Sequence, residues 1–320
     1  MTSPQVSICI PTYCQLDYLR ETLRSVEIQS YKDYELIVSD DTPDLLVKEL
    51  VLSYDFGHRL RYYRNSPALG SPENWNQAIS YAKGKYIKIL HHDDRFQDSE
   101  SLDTFVSLLD DNPNADLAFS VSTAENIVDG YMHTHCPSKE QVHHLSIMPE
   151  SLFFYNVIGA PSAVIYRNKF NIKFDQQLKW LVDIEFYIQF LLKNNQFVYT
   201  PEVLIATAAN APHQVTSFCQ SDACVDLCEH FYLYQKIAVK IKSHPSTQSI
   251  WFRLFEKYSV YSPESAVKKG VNCFSQVDDF PFFEAYKKNS LKRTPFRMYA
   301  RLPIFFKKVI RFLLKKVRLV

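Results

Sequence analysis

Residues 6–44 read VSICIPTYCQLDYLRETLRSVEIQSYKDYELIVSDDTPD, and their pattern decides the fold. "VSICIP" (6–11) is a continuous apolar run, as expected for a strand covered on both faces. Residues 17–29 then set Leu19, Leu23 and Val26 on one side, which predicts an amphipathic helix. "YELIVS" (34–39) is a second apolar run and a second strand. Both strands end in polar turns, "PTYC" and "SDDTPD".

The same alternation continues outward. A helix follows Pro43 with Leu46, Val47 and Leu50 inward, and "RLRYYR" (59–64) is a third, weaker strand. Pro72 opens a helix through Ala82, since proline is well tolerated at a first helical position. "YIKIL" (86–90) is a fourth strand, 102–109 a helix and "LAFSVS" (117–122) a fifth strand. Strand and helix in alternation predict an α/β fold, with a mainly parallel sheet flanked by helices. Residues 123–150 are polar and rich in histidine, and are expected to form a long loop. "SAVIYR" (162–167) is strand-like, "LVDIEFYIQFLL" (181–192) a helix and "FVYTPEVLIATAA" (197–209) extended. From about 216 the pattern is helical. The expected division is therefore a catalytic domain over 1–215 and a helical C-terminal region over 216–320.

Open parallel sheets bind ligands outside the carboxyl ends of their strands. That edge here collects "PTYC", "SDDTPD" and, after strand four, "HHDDR" (91–95). Each could be ordinary turn and cap chemistry, because Asp, Ser and Thr favour turns. Two Asp-Asp pairs at corresponding strand ends are costly without a compensating cation or donor-rich ligand. A divalent metal holding a diphosphate meets that need, with hard oxygen ligands suited to Mg²⁺ or Mn²⁺.

These stretches, with "NWNQAISYAKGKYIKILHHDD" (74–94) between them, resemble the family 2 glycosyltransferases of GT-A fold over roughly residues 5–215. The resemblance implies transfer of a sugar, with inversion, from a nucleotide-sugar to an acceptor hydroxyl, helped by Mg²⁺ or Mn²⁺. It implies that Pro11, Thr12 and Tyr13 lie near the nucleotide, and that Asp41, preceded by Asp40, accepts a hydrogen bond from the base. It places the metal motif on His92-Asp93-Asp94, with Asp94 as metal ligand and Asp93 near the ribose and metal. Asp183 matches the catalytic base, with Glu185 as the neighbour that could replace it. His213, in "HQVTS", matches a histidine near the diphosphate. Cys14 stands where the family commonly has Asn, and His92 where it has Asp.

Alternatives stand beside these roles. Asp183 could be a first-turn acid that complements the helix dipole, and a lone histidine such as His213 is often structural. Trp75 reads as core, and Cys219, Cys224 and Cys228, with His230 nearby, read as buried thiols, Cys224 and Cys228 on one helix face, rather than as a zinc site.

Composition bounds the function. Of 320 residues 46% are hydrophobic, enough to bury a sizeable core. Only six are glycine, and no G-x-G-x-x-G or Gly-rich basic loop follows strand one. That weighs against a dehydrogenase and against the runner-up, a metal-dependent nucleotidyltransferase. A catalytically decayed, membrane-associated binding protein is the non-enzyme alternative. Seven scattered cysteines suggest reduced thiols in a cytoplasmic compartment, and no secretory signal is expected.

The net charge of +1 hides an asymmetry. Residues 285–320 carry twelve Lys and Arg and no acid, so the first 284 carry 24 basic against 35 acidic residues. "LPIFFKKVIRFLLKKVRLV" (302–320) places apolar and basic residues on opposite helix faces. A basic amphipathic helix suits an anionic membrane surface, here the inner face of a bacterial membrane. Nucleic acid would leave the apolar face unused. The partners expected are a nucleotide-sugar (UDP-, dTDP- or GDP-linked) and a glycan or lipid-linked acceptor in surface-polysaccharide synthesis.

Overall fold

The computed structural model describes residues 3–126, 130–209, 211, 214–215, 219, 221–274 and 280–289. β1 (Val6–Thr12) and β2 (Tyr34–Asp40) are buried along their whole length, which is why both read as unbroken apolar runs. They pair in parallel, Ile8 opposite Leu36. α1 (Leu16–Glu27) joins them and buries Leu19, Leu23 and Val26 against the sheet. β3 (Leu60–Arg64), reached through α2 (Leu46–Leu52), adds to the far side of β2. α3 (Glu73–Ser80) leads to β4 (Tyr86–Ile89), parallel to β1. Gly84 makes that return possible, since a Cβ there would stand 2.5 Å from the Ser7 nitrogen.

The second half is mixed. A short β5 (Asp94–Phe96) precedes α4 (Ser101–Asp110) and β6 (Leu117–Asn126). β8 (Val164–Arg167) lies between β4 and β6 and is antiparallel to both. α6 (Val182–Lys193) feeds β9 (Phe197–Ala209), which is parallel to β6 and carries β5 antiparallel on its outer side. The sheet order is β3-β2-β1-β4-β8-β6-β9-β5. Alternation with helices predicts the parallel block. The antiparallel pairs come from β5, β8 and a further strand after β6, which are not linked to their partners by simple helical crossovers.

The stretch 123–150 corrects the sequence reading. β6 runs on to Asn126, β7 (Met132–His135) pairs back on it, and α5 (Lys139–Ile147) follows with Ser138 and Gln141 forming a capping box. β7 is largely exposed and α5 buries only Leu145, so neither leaves a strong apolar period.

Beyond β9 come α7 (Ala223–Ile241), α8 (Pro245–Tyr258), α9 (Pro263–Val267) and a helical stretch at 281–289. The chain divides into two compact units at Ile241, and α7 falls in the unit that holds the sheet. Among the described residues no helix is long and apolar enough to cross a membrane. The basic tail 302–320 lies outside the described residues.

Candidate active site

The carboxyl ends of β1 and β2 are tied together. The Asp41 N–H donates to the Thr12 carbonyl at 3.0 Å, and the Cys14 N–H donates to Thr42 Oγ1 at 2.8 Å. Asn74 on α3 donates to the carbonyls of Thr12 and Ser39 at 3.2 and 3.1 Å. Pro11 sits inside the β1 ladder opposite Ser39. Thr12 is buried, yet its Oγ1 has no hydrogen-bond partner. Tyr13 is 56% exposed, an aromatic ring open at the sheet's ligand edge. Cys14 and Gln15 follow with φ of 55° and 53°, two successive residues in the left-handed region. Such backbone is strained without glycine and clusters at functional sites.

Both acids of "SDD" hold their own chain. Asp40 accepts from the Thr42 N–H at 2.8 Å and the Tyr62 hydroxyl at 2.5 Å. Asp41 accepts from Asn65 Nδ2, the Leu69 N–H and the Gly70 N–H at 2.8, 3.1 and 2.8 Å. A carboxylate offers about four acceptor positions, so Asp41 keeps capacity for about one further donor.

"HHDD" forms a turn into β5. The Asp94 N–H donates to the His91 carbonyl at 3.0 Å, and Thr22 Oγ1 lies 2.8 Å from the carbonyls of both His92 and Asp94. Asp94 is only 5% exposed, while Asp93 is half-buried in the turn and accepts from Gln214 Nε2 at 3.1 Å. Burial, then the Asp93 charge, pushes the Asp94 carboxyl well up, against a hydrogen bond from Ser162. Ser162 Oγ also accepts the His91 N–H at 3.0 Å. Fully buried Lys88 donates to the Ser162 and Val164 carbonyls, lies 4.3 Å from the Phe105 ring centre, and is pushed down to about 7 by burial. His91 packs on Trp75 at 4.5 Å between ring centres and is driven down to about 4 by burial, so it is neutral at pH 7. Its Nε2 is buried without a hydrogen-bond partner.

Two adjacent carboxylates, one of them strained by burial, fit a divalent cation. No group of three or more His, Cys, Asp or Glu that could hold a metal occurs among the described residues. A divalent cation that also binds phosphate oxygens usually takes only one or two carboxylates from the protein.

Asp183 sits in the first turn of α6. Its Oδ1 accepts the Ile184 N–H at 2.9 Å and its Oδ2 accepts from Asn156 Nδ2 at 3.3 Å. Burial raises it to about 6, with hydrogen bonds opposing and Glu229 adding to the rise. Asn156 itself accepts the Ile158 and Gly159 N–H groups, which fixes the turn before β8. His135 on β7 braces that turn through the Val157 carbonyl at 3.2 Å. Tyr187, one turn on from Asp183, is raised by burial and then by the charges of Asp183, Tyr166 and Asp94. Its hydroxyl donates to the Gly159 carbonyl at 3.2 Å, in the same 156–162 segment that holds Asp183 through Asn156 and the Asp94 turn through Ser162. Glu185 is buried and paired to Lys236 at 2.6 Å, which leaves Asp183 as the more open acid.

Some expected features lie elsewhere. His213 is outside the described residues. Trp75 is half-buried against His91 and Phe174, as a core residue would be. Of the thiols on or near α7, Cys219 is buried, but Cys224 is exposed, a correction to the packed-thiol reading. His230 Nδ1 lies 3.0 Å from Asp226 Oδ1. Ser162, Asn156, Lys88, Gln214 and Glu229 escape sequence reasoning. Only Lys88, a lysine inside an apolar run, left a signal.

Comparisons with known proteins give the class to which this sheet with its acidic strand ends belongs, an α/β transferase of nucleotide-sugar type. Residues 7–191 match Glycosyl transferase family 2, and the chain belongs to that family. An uncharacterised glycosyltransferase of Rickettsia prowazekii is 29% identical over 215 residues, 65% of each chain. The match thus spans just under two thirds of that relative's length. A Campylobacter jejuni GalNAc(5)-diNAcBac-PP-undecaprenol beta-1,3-glucosyltransferase is 30% identical over 93 residues, 28% of this chain and 30% of that protein. Among solved structures, S. aureus TarS 1–349 in complex with UDP-GlcNAc aligns with TM-score 0.58 at 18% identity, over 92% of this chain and 83% of that one. The mannosyltransferase PcManGT of Pyrobaculum calidifontis, in complex with GDP-Man and Mn²⁺, aligns with TM-score 0.52 at 15% identity, over 93% and 84%. The fold is GT-A.

Proposed function

We propose that the chain is an inverting, hexosyl-type glycosyltransferase that uses a nucleotide-diphospho-sugar donor and a divalent cation. The observation that carries this reading is that one segment, 156–162, meets both acids: Asn156 Nδ2 donates to Asp183 Oδ2 at 3.3 Å, while Ser162 Oγ accepts the His91 N–H at 3.0 Å and hydrogen-bonds Asp94. It gives one site a carboxylate at the strand edge and a second at a helix start. Inversion needs a base on the sugar face opposite the leaving diphosphate. Asp183, raised to about 6, is mostly ionised at pH 7 and still basic enough to take the acceptor hydroxyl proton. The acceptor oxygen then bonds to the anomeric carbon as the bond to the diphosphate breaks.

Asp93 and Asp94 would hold Mg²⁺ or Mn²⁺, which when bound supplies positive charge to the diphosphate. Tyr13 and Thr12 Oγ1 offer a ring and an unpartnered hydroxyl to the nucleoside, and Asp41 offers its last acceptor position to the base. The complexes named for TarS and PcManGT support a nucleotide-sugar and a metal in general. The Campylobacter relative's name supports a lipid-linked acceptor of the kind used for surface polysaccharide. The acid-free basic run of 285–320 supports work at an anionic inner-membrane surface.

Calorimetry with UDP-, dTDP- and GDP-sugars in Mn²⁺ tests the reading. Binding and slow hydrolysis of at least one donor are expected. Asp183→Asn should bind that donor and lose turnover. A protein that binds none of them would be the decayed alternative. Deleting residues 297–320 should release the protein from phosphatidylserine vesicles, and unchanged binding would refute the membrane assignment.

A further inference from the structure

α6 begins badly by its own means. Its N-cap position is Leu181, a residue with no side-chain acceptor, and no side-chain cap hydrogen bond forms there. The chain leading into it runs from exposed Lys179 to buried Leu181, and its N–H groups need partners from outside the helix. They are satisfied from another element. Glu229, on α7 and 7% exposed, accepts the Lys179 N–H on Oε1 at 2.8 Å. Its Oε2 accepts the Trp180 and Leu181 N–H groups at 2.8 and 2.9 Å. One carboxylate thus fixes three consecutive peptides, the last of them two residues before Asp183.

A second tie lies seven residues further along α7, on the same helix face. Lys236 Nζ is 2.6 Å from Glu185 Oε1 on α6 and 2.5 Å from Asp175 Oδ2. α7 therefore grips α6 at its entry and within its first turn. Neither Glu229 nor Lys236 falls in the residues matched to the family, 7–191.

We propose that Glu229 is a positioning residue for the base: from outside the matched region, its carboxylate sets the entry of α6 and so the place and basicity of Asp183. This rests on the reading of Asp183 as the base. Among the described residues, the Asp183 carboxylate is acted on by the Asp183 and Ile184 N–H groups of α6, by Asn156 from the turn before β8 and by Glu229 from α7. Tyr187 stands one turn on, its hydroxyl donating to the Gly159 carbonyl at 3.2 Å. Glu229 is the one anion in the first set, so neutralising it lowers Asp183 from about 6.

The experiment compares Glu229→Gln, Lys236→Met and Asp183→Asn in the full chain. The readout is hydrolysis of UDP-N-acetylglucosamine or GDP-mannose in Mn²⁺, whichever donor the calorimetry selects, over pH 5–9. Glu229→Gln should lower kcat about tenfold with the donor KM unchanged, and should move the acid limb of kcat to lower pH. Lys236→Met loosens the second tie without touching that charge, so it should lower Tm and leave the acid limb in place. If Glu229→Gln lowers Tm but leaves kcat and the acid limb at wild-type values, Glu229 is only a structural cap and the proposal is overturned. Should Glu229→Gln fail to fold, Glu229→Asp keeps the charge at shorter reach. It should hold the acid limb while losing part of kcat, and full wild-type kcat would overturn the proposal. If Asp183→Asn keeps wild-type turnover, the base assignment itself fails. If Asp183→Asn is inactive and Glu229→Gln behaves as wild type, only the positioning role fails.

Discussion

The Asp41 carboxylate accepts the Gly70 N–H at 2.8 Å, and with Leu69 and Asn65 this ties the 65–70 loop to the end of β2. Asp41 is 4% exposed, so its partners are largely cut off from water. Asp41→Ala leaves those donors unsatisfied and should cost about 2–4 kcal/mol in urea unfolding. Asp41→Asn keeps one acceptor oxygen and should cost less. Both should weaken nucleotide binding in calorimetry, because the loop and the last acceptor position are lost together. Full affinity in Asp41→Ala would remove Asp41 from the nucleotide site.

Asp183 sets a pH dependence whose sign can be worked out. Its folded-state pKa, about 6, lies above the ordinary carboxylate value of about 4. Turnover needs the ionised form, so kcat should fall as pH drops through about 6. Stability runs the other way. The folded state holds the proton more tightly than the unfolded chain, so this group's contribution is complete below pH 4 and lost as pH rises through about 6. Asp183→Asn should therefore be inactive yet more stable than wild type at pH 8, by about 1 kcal/mol after allowing for its partial exposure. A flat kcat between pH 5 and 8 would count against Asp183 as the titrating base.

Cys14 occupies a left-handed position, φ 55°, where its family commonly carries Asn. Asn tolerates that region, whereas other side-chain-bearing residues lose about 1–2 kcal/mol there. Cys14→Asn should thus raise stability by up to about 1 kcal/mol, read from the midpoint of urea unfolding. The Cys14 N–H to Thr42 hydrogen bond is a backbone feature and survives the change. A loss of stability would mean that the thiol packs better than the amide.

What the sequence made legible follows from where each signal is stored. β1 and β2 are buried on both faces, so their runs of Val, Ile and Leu announce them without context. The strand ends follow from the sheet, and so the sequence alone gathers Thr12, Tyr13, Asp41, Asp93 and Asp94 on one edge. β7 and α5 were illegible, because β7 is mostly exposed and α5 buries one side chain. Glu229 and Asn156 were illegible for a different reason. Their work is to bond backbone N–H groups or a distant carboxylate, and any sequence can place a Glu or Asn on a helix or turn. The metal motif stands between these cases. Its identity was readable, but its burial order, Asp94 inside and Asp93 further out, is a property of the β5–β9 pairing.

That burial order gives Asp94→Asn a distinct outcome. Asp94 is nearly inaccessible and its carboxyl is pushed well up by burial and by Asp93, so the folded state resists its charge. Amide for carboxyl removes that resistance at nearly constant shape. Asp94→Asn should then be as stable as wild type at pH 8, or more so, by thermal unfolding. Cation binding should move the opposite way, because the amide brings no charge to offset the metal. Mn²⁺-dependent nucleotide affinity should fall about tenfold or more, and chelation of Mn²⁺ from wild type should reproduce most of the loss. Asp93→Asn should show the same loss of affinity with little change in stability, since Asp93 is the more open of the two. If Asp94→Asn keeps the full Mn²⁺ effect while Asp93→Asn abolishes it, Asp93 alone is the metal ligand and Asp94 serves to seat the turn on β9.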